Sequence, residues 1–152
     1  MMEIKVKIAD YKAAEANLIK LGAKFIKDQT HTYTYFNQPR DKVLKITKND
    51  EGIFRTELKL KGDQFVFTKR QKLTKVEATE LESDLKKKFG IKKRLTNHAR
   101  LFELDGYLVS TDQIEGVGQF LIVMGDDPKI SFITDKIGLK NPEIVTESFD
   151  NL

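Results

Sequence analysis

Glu3-Ile4-Lys5-Val6-Lys7-Ile8 alternates strictly between charged and apolar side chains. A period of two is the signature of a β-strand, with Ile4, Val6 and Ile8 on one face and Glu3, Lys5 and Lys7 on the other. Working outward, Asp10 is placed to cap a helix whose apolar positions Tyr11, Ala14, Leu18 and Leu21 recur at helical spacing, and Gly22 stands where a C-terminal cap belongs. The β-rich run from Lys24 to Phe36 predicts one or two strands, broken by Asn37-Gln38-Pro39. Lys42 to Lys48, Ile53 to Lys61 and Gln64 to Leu73 predict three more, separated by Asn49-Asp50-Glu51-Gly52 and Gly62-Asp63.

A second helix is expected from Lys75 to Phe89, with Ala78, Leu81, Leu85 and Phe89 on one stripe and Gly90 ending it. Two strands flank Asp105-Gly106, a type I′ hairpin signal. Phe120-Leu121-Ile122-Val123-Met124 is apolar on both faces, as a deeply buried strand requires. Asp127-Pro128 is expected to open a third helix, and Glu143 to Leu152 a closing one. No repeat, linker or low-complexity tract divides residues 1–152, which predicts a single α+β domain.

Composition narrows the function classes. The chain has 152 residues, 39% hydrophobic and 33% charged, with ten Phe and four Tyr, which fits one well-buried domain and not a disordered segment. No apolar run approaches the length of a membrane span, and the charged start at Met1-Met2-Glu3 is not that of a secretory signal. Without cysteine there is no disulfide, thiol nucleophile or cysteine-bound zinc. A cytoplasmic protein is expected. The net charge of +4 favours anionic partners mildly.

Many strands carry a basic or mixed face: Glu3, Lys5 and Lys7; Lys45 with Thr47; Lys59 with Lys61; Thr68, Arg70 and Lys72. One reading is an antiparallel sheet with a solvated side. The other is a closed sheet whose interior is lined by Lys and Arg, a cage for phosphate groups. Composition does not choose between them. His31 and His98 lack any partner at metal-ligand spacing; His31 is expected to be half-buried and His98 exposed. Gly116-Val117-Gly118 reads as a tight turn, and Lys86-Lys87-Lys88 as a solvated helix end.

The order of segments resembles the CYTH domain, or triphosphate tunnel, family, whose members include thiamine, inorganic and RNA triphosphatases and class IV adenylate cyclases. Glu3-Ile4-Lys5-Val6-Lys7 stands where that family has Glu-x-Glu-x-Lys. His31-Thr32-Tyr33-Thr34-Tyr35-Phe36-Asn37-Gln38-Pro39 is similar to its aromatic strand and proline. Leu44-Lys45-Ile46-Thr47 takes the place of Leu-Arg-Ile-Arg, and Leu60-Lys61-Gly62 that of a Lys-Gly turn. Thr111-Asp112-Gln113-Ile114-Glu115-Gly116-Val117-Gly118-Gln119-Phe120 resembles Asp-x-x-x-Gly-Leu-Gly-Asp-Phe. The resemblance implies an antiparallel β-barrel with helices outside, Mg²⁺ or Mn²⁺ on acidic side chains, and a triphosphate on Lys and Arg. Carried over by position, Glu3 and Asp112 are the implied metal ligands, and Lys5, Lys7, Lys45, Lys59, Lys61 and Arg70 the implied phosphate contacts.

The pattern also departs from the family. Lys5 stands where a second carboxylate belongs, Ile122 and Met124 where two glutamates follow the Phe, and Asn97 and Ala99 where a Lys-x-Arg pair is usual. A cation in a metal's place repels the metal, so the expectation is a protein that binds a triphosphate, a polyphosphate or an RNA 5′ end with weakened or lost catalysis. Two alternatives stay open. One is a Mg²⁺- or Mn²⁺-dependent triphosphatase or adenylate cyclase-like enzyme; the other is a structural or partner-binding domain with a filled tunnel.

Overall fold

The computed structural model describes residues 1–152. Its elements are β1 (Met2–Lys7), α1 (Tyr11–Lys20), β2 (Lys24–Phe36), β3 (Lys42–Asn49), β4 (Gly52–Lys61), β5 (Gln64–Leu73), α2 (Lys75–Phe89), β6 (Ile91–Leu104), β7 (Tyr107–Ile114), β8 (Gly118–Gly125) and β9 (Glu143–Ile144). The sheet runs β5-β4-β3-β2-β6-β7-β8-β1, and a pairing of β1 with β5 (Met2 with Val66, Glu3 with Phe65) closes it into an antiparallel barrel. Closure leaves β1 bonded along one edge to β8 and along the other to β5 and then to β9. The α+β class with a barrel and outer helices is the architecture expected.

Local chemistry sets the boundaries. The Asp10 carboxylate accepts from the Lys12 amide at 3.0 Å, and Gly22 beyond the end of α1 has φ +89°. Thr74 and Glu77 form a reciprocal capping box at the start of α2. Asp105 and Gly106 both have positive φ, as a type I′ hairpin demands. Two expectations are corrected after Gly125. The third helix is one wide turn, Phe132–Ile137, ended by Gly138 in the left-handed conformation. Glu143 to Leu152 is not a helix: the two-residue β9 pairs with β1, and a short turn, Phe149–Asn151, follows. Val145 and Phe149 are buried in the barrel end, so packing against the sheet overrides a weak helical pattern too short to nucleate alone.

The apolar residues divide into three clusters, and their placement decides which way each strand faces. Ile4 and Val6 of β1, Val109 of β7 and Leu121 and Val123 of β8 point out of the barrel, beneath Leu18 of α1 and beneath Ile133 and Ile137. Leu18 is fully buried there, worth about 1.5–3 kcal/mol relative to exposure. Leu44 and Ile46 of β3 point outward beneath Leu85 of α2. A third cluster lies inside one end of the barrel: Tyr33, Tyr35, Val43, Leu58, Phe65, Leu95, Ile114, Phe120 and Ile122, with Val145 and Phe149. With outer faces covered by helices, β1 and β3 turn their polar faces inward.

Candidate functional site

The other end of the barrel interior is an open cavity of about 250 Å³. Its walls come from β1 to β8, because inward positions near one end of every strand contribute. Tyr35, Lys45, Thr56 and Arg70 are register partners across β2, β3, β4 and β5 and form one side of the barrel wall. On β5 a bulge at Thr68 lets Glu57 pair with Lys69 and Leu58 with Phe67. The extra residue switches parity, so Phe67 and Arg70 share the inner face instead of Phe67 and Lys69.

Lys45 is the cation set deepest among the lining residues. Its ammonium lies 4.1 Å from the centre of the Tyr33 ring and 5.4 Å from that of Tyr35, and it forms no hydrogen bond or ion pair. Burial holds its pKa below the usual lysine value. The Arg70 guanidinium, at the exposed rim, stacks on Phe54 at 4.5 Å and lies 4.0 Å from Glu51, whose carboxylate is otherwise bound by Lys27 at 2.6 Å. His31 also faces the cavity, parallel to the Tyr33 ring at 5.7 Å, with Nδ1 3.2 Å from the Asn49 amide. Burial, then the charge of Lys45, pushes its pKa down to about 4, so His31 is neutral near pH 7. It is half-buried as expected; its place in the cavity wall was not foreseen, although its even spacing with Tyr33 and Tyr35 carries the signal.

The acidic side of the cavity is built around Asp112. Its carboxylate accepts from the Asn97 amide at 2.6 Å and from the Ser110 hydroxyl, and the same Asn97 nitrogen donates to the Tyr33 hydroxyl at 3.1 Å. Burial outweighs these hydrogen bonds and raises Asp112 to about 6. Asn97 is therefore a fully buried hinge-pin of the site, although from the sequence it was only a missing cation.

Glu3 lies nearer the mouth. It pairs with Met124 on β8 and Asp112 with Phe120, four residues along that strand, and the Glu3 charge still acts on Asp112 within the shared cavity. No group of three or more His, Cys, Asp or Glu side chains that could hold a metal ion is present. Two carboxylates, one already accepting two hydrogen bonds, do not make an all-protein cage for Mg²⁺ or Mn²⁺; an ion held by them would need water and substrate oxygens to complete its near-octahedral shell.

The remaining expected residues lie elsewhere. Lys5 is inside the barrel but below the cavity, 3% exposed, its ammonium 4.2 Å from the ring centres of both Phe65 and Phe149 and 3.0 Å from the Glu147 carbonyl it donates to. Lys7 lines an outer groove with Asp10, Asn17, Lys140 and Glu143. Lys59 and Lys61 are exposed on the outer face of β4, because Thr56 and Leu58 take the inward positions. The expected convergence of Lys7, Lys59 and Lys61 on the interior is thus corrected: each is turned to the outside. Ile122 lines the cavity floor and Met124 its wall. His98 is exposed and 3.0 Å from Glu115, a surface contact.

No protein-family model matches the chain. Over 143 residues it is 32% identical to a candidate adenylate cyclase of Methanocaldococcus jannaschii, an alignment covering 89% of this chain and 80% of that protein. Among solved structures, a conserved hypothetical protein of Pyrococcus furiosus superposes with a TM-score of 0.84 at 21% identity, over 100% of this chain and 99% of that one. A candidate adenylyl cyclase from Hippeastrum with a dominant triphosphatase activity superposes with a TM-score of 0.64 at 13% identity, over 89% and 87% of the two chains. No helix is long and apolar enough to cross a membrane.

Proposed function

Since the chain belongs to the CYTH, or triphosphate tunnel, family, we propose that its open cavity binds the phosphates of a triphosphate-bearing molecule, with hydrolysis weakened or lost. The observation that carries this reading is the Lys45 ammonium, which faces the cavity between the Tyr33 and Tyr35 rings with no hydrogen bond or ion pair, the carboxylates of Glu3 and Asp112 acting on it only through space. A desolvated cation without a partner is costly, and a phosphate oxygen repays that cost. Arg70 at the rim offers a second contact with a planar fork of donors, which matches a phosphate. Lys5 adds positive potential from below without touching the ligand. Lys7, Lys59 and Lys61 have no part in the site.

Phosphoryl transfer relies on charge neutralisation at the bridging and leaving oxygens, which metal ions supply in most such enzymes. The donor set here supports slow turnover at best. The test is calorimetric titration of tripolyphosphate, first with EDTA and then with Mg²⁺, while released phosphate is measured. Binding in EDTA is expected, weakened about tenfold or more by Lys45→Ala and unchanged by Lys59→Ala. No binding heat in either buffer would sink the proposal, and rapid phosphate release with Mg²⁺ would restore the enzyme reading.

A further inference from the structure

We infer that the barrel is a cup closed at its floor by the C-terminal segment, so that it takes an oligophosphate only by a free terminal phosphate and threads no chain through. The inference rests on the triphosphate-binding reading and narrows its ligand class. Below Ile122 and Tyr33 the interior changes from polar to apolar, and the space is filled by Phe65, Phe120 and Phe149. Phe149 is 4% exposed and packs on Phe120 with ring centres 4.9 Å apart.

The stopper is fastened to several walls. The Val145 amide donates to the Lys5 carbonyl at 2.8 Å, while the Lys5 ammonium donates back to the Glu147 carbonyl at 3.0 Å. Glu147 also pairs with Arg40 at 2.8 Å, and Asp150 with Lys92 at 3.3 Å. A polyphosphate passing this floor would have to shed water against aromatic rings, where the donors present, the Tyr35 hydroxyl and the Lys5 ammonium, already have partners in Ser148 and the Glu147 carbonyl. The Lys5 ammonium does not serve as a donor there, because the carbonyl and two ring faces already engage it. The ester or chain end of any ligand therefore stays at the mouth, beside Arg70 and Glu3.

The experiment measures how many protein molecules bind one chain of linear polyphosphate as its mean length grows, with tripolyphosphate as the reference ligand. One per chain is expected for tripolyphosphate, and two per chain, one at each end, for every chain long enough to reach two cavities. A number that rises beyond two with length while tripolyphosphate still binds would overturn the cup and leave the triphosphate reading standing. Failure to bind tripolyphosphate would overturn both. A dinucleoside oligophosphate, esterified at both ends, is expected to bind about tenfold or more weaker than tripolyphosphate, and equal affinity would overturn the requirement for a free end. In Phe149→Ala, confirmed folded by circular dichroism, the number bound is expected to rise beyond two with length; an unchanged number would remove Phe149 as the stopper.

Discussion

Asp112 and Lys5 show how burial, more than sequence identity, assigns charge inside this barrel. Asp112 is raised from 3.8 to about 6 by burial. A carboxyl raised in the folded state gives stability that is full below its unfolded value and lost as pH rises through the folded one. Stability is therefore expected to fall by about 3 kcal/mol in all as pH rises from about 3 to about 7 on account of this group, about 2 kcal/mol of it between pH 4 and pH 6, and the fall should be absent in Asp112→Asn. Thermal denaturation across that range checks it. Lys5 is lowered by burial to about 8. Its neutral form stabilises the fold above pH 10.5, and that contribution is lost as pH falls through about 8. Lys5→Met keeps the packing between Phe65 and Phe149 and forfeits the Glu147 bond, worth about 1 kcal/mol. The variant is expected to be more stable at pH 7 by about 2 kcal/mol; a lower midpoint than the parent would contradict this.

At the level of strands, alternation in the sequence announces two faces and leaves open which one is the inside. On β1 the charged face turns inward because α1 covers the apolar one, and on β4 the charged face turns outward because Leu58 fills the barrel end. That is why periodicity could not sort Lys5 and Lys45, which face inward, from Lys59 and Lys61, which do not. The bulge at Thr68 is a further feature that periodicity cannot carry, since one unpaired residue decides whether Lys69 or Arg70 meets the cavity. The strands, both α-helices and the hairpin at Asp105-Gly106 were legible because each has a strong local signal. The segment after Pro142 was not, because its structure comes from partners more than a hundred residues away on β1. Close packing also limits β8 at its end: a Cβ on Gly125 would meet the Tyr107 ring at 2.6 Å, and that ring packs on Phe132. Gly125→Ala is expected to cost about 1–3 kcal/mol by overpacking, measurable by urea denaturation; an unchanged midpoint would show that Tyr107 moves freely.

For the molecule as a whole, the barrel divides into a polar open half and an apolar plugged half, and ligand binding should register as global stability. A ligand that binds only the folded state at a hundredfold excess over its Kd adds about 2.7 kcal/mol, which for a chain of this size is a rise in Tm of roughly 5–10 °C. Tripolyphosphate is expected to produce such a shift and Lys45→Ala to abolish most of it. An unchanged Tm at saturating tripolyphosphate would leave the cavity without this ligand.

The three-sided bonding of β1 has a consequence for the order of assembly. On a ribosome, residues 2–7 emerge ahead of every partner they will pair with: 65–66 on β5, 120–125 on β8 and 143–144 on β9. The meander from β2 to β5 can pair with itself as it appears, whereas β1 must wait with unpaired edges until nearly the whole chain is synthesised. Sequence separations of this size slow folding, and an exposed strand edge invites pairing with other chains. The alternating charges Glu3, Lys5 and Lys7 thus guard the nascent strand against aggregation before the barrel closes over the first two.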